Sequence, residues 1–83
     1  MDKKFINEAI DKLIQDEYKF KVTCIAIIDM MNSDEDLKEE LSFYCRISEA
    51  IINKEENISE DEKEHFLVMH CSAIQVYNEI YKY

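Results

Sequence analysis

The chain of 83 residues contains neither glycine nor proline, although average usage would supply roughly ten between them. Glycine gives turns and bulges their positive φ, and proline gives them a preset one. Helices are weakened by both residues. A sequence without either therefore reads as all-α, and sandwiches, barrels and Rossmann-like units are disfavoured. Every glycine-rich phosphate loop is excluded outright.

Eighty-three residues leave room for one hydrophobic core and no second domain, so residues 1 to 83 are read as one helical domain. Hydrophobic residues make up 47% of the chain, which is enough to fold despite 35% charged residues. The start lacks the pattern of a cleavable leader, and the longest apolar run, Cys24 to Ile28, is too short to span a bilayer. A soluble, cytoplasmic protein is expected, in the host cytoplasm if the source is viral. Cys24, Cys45 and Cys71 are odd in number and form no C-x-x-C pair, which suits reduced, protected thiols. Nine lysines against one arginine, with abundant isoleucine, fit an AT-rich genome such as that of a low-GC bacterium, a phage or another virus.

Periodicity predicts three helical segments. The last is the clearest, over about residues 60 to 82. Ser59 and Glu62 have capping-box spacing, and Phe66, His70, Ala73, Tyr77 and Ile80 repeat on one face. A second helix is predicted from an N-cap at Ser33 to near Asn53, with Leu37, Leu41, Tyr44, Cys45, Ile51 and Ile52 as its buried stripe. Residues 54 to 58 form a loop. In the first third, Ile6, Ile10, Leu13, Phe20, Cys24, Ile27 and Met31 follow a heptad spacing. That describes one long helix or two helices broken near Gln15 to Glu17. Alternation over residues 18 to 28 offers a rival strand, which has no second strand in the chain to pair with.

These segments predict a small antiparallel three-helix bundle, or a four-helix one if the first segment breaks. Val22, Ile25, Met30, Phe43 and Ile47 lie off the main stripes. A second apolar face of this kind suits self-association as a homodimer. Phe43, Ile47, Tyr81 and Tyr83 are the candidate apolar interface.

The net charge is -9. Residues 1 to 28 carry five acids and five lysines, and residues 65 to 83 balance Glu79 against Lys82, so the whole excess comes from residues 29 to 64. Acids in a first helical turn favour the macrodipole, and solvated charge keeps a small apolar protein dispersed. Neither reason requires Glu39, Glu40, Glu55, Glu56 and Glu64. On one continuous helix, Glu35 with Glu39, Asp36 with Glu40, and Glu60 with Glu64 stand four residues apart and repel slightly. Carboxylates about 6 Å apart on a helix resemble the spacing of phosphates on a nucleic-acid strand. Glu35, Asp36, Glu39, Glu40, Glu55, Glu56, Glu60, Asp61 and Glu64 are accordingly the candidate partner-binding surface.

The same charge argues against nucleic acid as a direct ligand and against anionic membranes. His65, His70 and the three cysteines match no zinc-site spacing, and His70 falls on a predicted buried stripe. Nothing marks an oxyanion hole or a nucleophile with its base. No enzyme activity, metal or cofactor is expected. The leading expectation is an inhibitor or regulator that binds a basic, nucleic-acid-binding protein in the manner of a DNA mimic. The alternative is a structural or adaptor bundle that binds through its second apolar face.

Overall fold

A computed structural model describes residues 2–81. In chain order they form α1 (Lys3–Ile14), α2 (Glu17–Asn32), a 3-10 turn (Glu35–Leu37), α3 (Lys38–Ile52) and α4 (Glu60–Ile80), with no strand among the described residues. The helices pack as a bundle.

The first third breaks at the predicted place. Asp16 accepts a hydrogen bond from the Lys19 backbone N–H at 3.0 Å, which caps α2, and α1 ends one residue earlier at Gln15. An N-cap needs non-helical backbone, so the cap itself interrupts the run. The strand alternative fails because Phe20, Cys24, Ile27 and Met31, spaced at three and four residues, are all buried on one helix face.

Ser33 does not start the next helix. Its backbone N–H and hydroxyl both reach back to Met30, so it closes α2. The start is set by Asp34, whose carboxylate accepts from the Asp36 N–H at 2.9 Å and opens the 3-10 turn; α3 itself has no side-chain cap. At the far end of α3, Lys54 adopts φ 58, the left-handed region. Lys54 N–H donates to the Ile51 carbonyl and Glu55 N–H to the Ala50 carbonyl, the bond pair of a Schellman motif, in which this position is usually glycine. With no glycine in the chain, lysine takes it. The predicted capping box opens α4 with both bonds in place, Ser59 N–H to Glu62 Oε1 at 3.0 Å and Glu62 N–H to Ser59 Oγ at 3.1 Å.

All three other helices touch α4. Phe43 faces His65, and Arg46 pairs with Glu62, so α3 and α4 run antiparallel as expected. Asn7, early in α1, bonds both Glu60 and Lys63 at the start of α4, while Leu13 shares a groove with Ile74 and Tyr77 further along. Those two helices therefore run in the same sense. The core gathers Ile6 and Ile10, the buried face of α2, Tyr44, Ile47 and Ile51 of α3, and Phe66 and Leu67 of α4. Phe66 sits at its centre, stacked on Tyr44 at 5.1 Å and meeting Phe20 edge-on at 6.3 Å.

Candidate interaction surfaces

The acidic residues fall into two groups. Glu35 and Asp36 lie in the 3-10 turn and Glu39 and Glu40 in the first turn of α3, all exposed. Glu55 and Glu56 in the loop join Glu60 and Asp61 at the opposite end of α3, which is about 22 Å long from its 15 residues. Between the groups, the outer side of α3 carries Ser42, Arg46 and Glu49. Arg46 lies over the Phe43 ring at 5.6 Å and reaches Glu62 at 3.0 Å.

This geometry alters the repulsion expected from the sequence. The passage from 3-10 turn to α-helix between Leu37 and Lys38 separates Glu35 and Asp36 from Glu39 and Glu40, so those pairs do not share one regular helix face. Glu35 is paired with Lys38 at 3.0 Å. Glu60 and Glu64 do belong to one helix, and Lys63 stands 3.6 Å from Glu60. Glu62 is held below the ordinary glutamate range, first by the Ser59 backbone N–H and then by Arg46. Asp36, Glu39, Glu40, Glu55, Glu56 and Asp61 are exposed and have no ion-pair partner among the described residues.

The apolar candidates separate. Ile47 is 1% exposed and belongs to the core, so it is no interface residue. The buried face of α3 runs through Tyr44, Ile47, Ser48 and Ile51, rotated away from the predicted stripe through Leu41 and Cys45. Phe43 is half-buried, its ring 4.5 Å from that of His65. Tyr81 is exposed and packs on Tyr77 at 4.6 Å, while Tyr83 lies outside the described residues. On α4, Val68, Val76 and Ile80 are 52%, 49% and 59% exposed, and on α2 Tyr18, Val22 and Ile25 form an exposed apolar stripe at 79%, 46% and 66%. Of these, Val22 and Ile25 were visible in the sequence as off-stripe residues. Tyr18 was not, because its place on that stripe depends on where α2 begins.

Beside this stripe lies an open groove of about 670 Å³ between α2 and the second half of α4. Leu13, Phe20, Ala26, Ile74 and Tyr77 line it, with Lys12 and Lys19 also contributing. The family models, curated proteins and solved structures compared with this chain yield no match. Function must be read from these surfaces alone.

The remaining polar chemistry is inside. The Tyr44 hydroxyl lies 2.6 Å from His70 Nδ1 and donates to Cys24 Sγ at 3.6 Å. Burial lowers the His70 pKa and raises those of Cys24 and Tyr44. The Cys45 thiol is also pushed up, by burial and then by Glu49. These shifts keep all four groups neutral near pH 7. Cys71 departs from the expected core thiol: the buried residues of α4 are Phe66, Leu67 and His70, which leaves Cys71 exposed. Among the described residues no three His, Cys, Asp or Glu side chains come together as metal ligands would. No described helix is long and apolar enough to cross a membrane.

Proposed function

We propose that this protein is a small acidic inhibitor or regulator that binds a basic, nucleic-acid-binding protein through exposed carboxylates, in the manner of a DNA mimic. The observation that carries the proposal is the set of exposed acids without ion-pair partners among the described residues: Asp36, Glu39, Glu40, Glu55, Glu56 and Asp61. They belong to the stretch that supplies the whole net charge of -9. Their two groups flank α3 over about 22 Å, roughly the rise of six base pairs of duplex. The protein acts by binding, with no catalytic step and no cofactor, in the cytoplasm, and it associates with itself. Nucleic acid and anionic membranes are repelled rather than bound.

The variants that test this leave structural carboxylates alone, because Glu60 holds Asn7 and Lys63, and Glu62 closes the capping box. One variant reverses Asp36, Glu39 and Glu40 to lysine, and the other reverses Glu55, Glu56 and Asp61. Partners are captured from the native host and identified by mass spectrometry, and affinity is then measured across a salt series. The proposal expects a nucleic-acid-binding protein, at least a tenfold loss in one variant, and weakening of the wild type as salt rises. Equal binding by both variants at every salt concentration would overturn it. The exposed α2 stripe favours a second reading, a structural or adaptor bundle. Capture of an acidic or apolar partner, with loss of binding on substitution in α2, would establish that alternative.

A further inference from the structure

The α2 helix is apolar on two sides. Phe20, Cys24, Ile27 and Met31 face the core, while Tyr18, Val22 and Ile25 form a stripe toward solvent at spacings of four and three residues. A helix that is apolar nearly all round belongs in an interior, so the outer stripe calls for a cover. Its charges indicate which cover fits. Glu17, Lys19, Lys21 and Asp29 sum to zero in a molecule whose net charge is -9. A basic partner gains little from a face without net charge, and the excess negative charge that would repel a second copy lies from the 3-10 turn to the start of α4, off this stripe. Asp29, which continues the line of Tyr18, Val22 and Ile25, is exposed and has no ion pair among the described residues.

We infer that the outer face of α2 binds the same face of a second copy, the two α2 helices packing antiparallel about a twofold axis between Val22 and Ile25. The positions dictate this register. Tyr18 and Asp29 lie at equal distances on either side of that point, each about 8 Å along the helix. An antiparallel copy therefore sets Val22 against Ile25 in the centre and brings the Tyr18 hydroxyl opposite Asp29 at both ends. Lys21 comes within one turn of the same carboxylate. A parallel pair would instead set Asp29 against Asp29. The arrangement is isologous, closing at two copies with every contact made twice. The inference rests on the self-association proposed above and is independent of the acidic surface.

Sedimentation equilibrium or light scattering on the full chain provides the test. The expected mass is twice 10.0 kDa. The Val22→Glu/Ile25→Glu double variant is expected to be monomeric with an unchanged helical circular dichroism spectrum, because both side chains face solvent in the fold. Asp29→Lys should weaken the dimer at least tenfold by opposing two cations, and adding Lys21→Asp should restore most of that loss. A wild type monomeric up to millimolar concentration would overturn self-association altogether. A dimer indifferent to the double variant would overturn this surface while leaving self-association through another. A dimer broken by the double variant and unaffected by Asp29→Lys would overturn the antiparallel register.

Discussion

At the scale of single residues, the most constrained group is the buried trio of Cys24, Tyr44 and His70. Tyr44 and His70 are 0% and 1% exposed, so their mutual hydrogen bond is the main satisfaction available to two polar groups in the core. Tyr44→Phe leaves His70 Nδ1 buried without a partner and should cost about 1–3 kcal/mol in urea unfolding. The pH dependence follows from the lowered His70 pKa. The unfolded chain binds the imidazole proton at a higher pH than the native protein does. Native stability is therefore full above the unfolded value of about 6.5 and declines as the pH falls below it. The wild-type midpoint should drop between pH 7.5 and pH 5.5, and His70→Phe should flatten that slope. The place of His70 on a buried stripe was legible in the spacing of α4. Its partner was not, because which face of α3 meets α4 depends on packing between helices that local periodicity does not encode.

At the scale of elements, each end is set by a local device, and some of these devices can be read in advance. The Ser59 and Glu62 capping box is such a case, because both of its bonds lie within four residues. Ser33 misled because serine can close a helix through its own backbone and hydroxyl as readily as it can open one, and the aspartate beside it is the stronger cap for the next turn. Lys54 was not legible, since the usual mark of its conformation is a glycine that this chain lacks. Lysine in the left-handed region costs roughly 1–2 kcal/mol relative to its right-handed form. Lys54→Gly should therefore raise stability by about 1 kcal/mol, because the relief of that cost exceeds the added flexibility of the unfolded chain. Thermal unfolding of the two proteins checks this, and an unchanged or lower midpoint would show that the Lys54 side chain contributes a contact of equal size.

At the scale of the whole molecule, charge and packing act in opposite directions. The small core must hold together a body of net charge -9, and self-repulsion among the acids opposes compaction. Moderate salt should raise the melting temperature by screening that repulsion while weakening attachment to a basic partner. A melting temperature that falls or stays level with salt would mean that the ion pairs outweigh the repulsion. The all-helical class was legible from composition, and the location of the charge from simple counting. The division of the acids into two groups was not, because it arises where a 3-10 turn displaces the start of α3 and where the chain reverses after Lys54. The α2 stripe was only half legible, since a residue off one helix's seam is visible in sequence but the absence of a neighbour over it is not.

The seclusion of Tyr44 also has an optical consequence. The chain has no tryptophan and five tyrosines, so its near-ultraviolet spectrum comes largely from phenol rings. One of the five, Tyr44, packs against both Phe66 and His70 in the core, with its pKa raised by burial. As alkali is added, that ring ionises only when the core opens to water. Its share of the phenolate absorbance then appears together with the loss of ellipticity, so a single alkaline titration records both a chromophore's chemistry and the cooperativity of the fold.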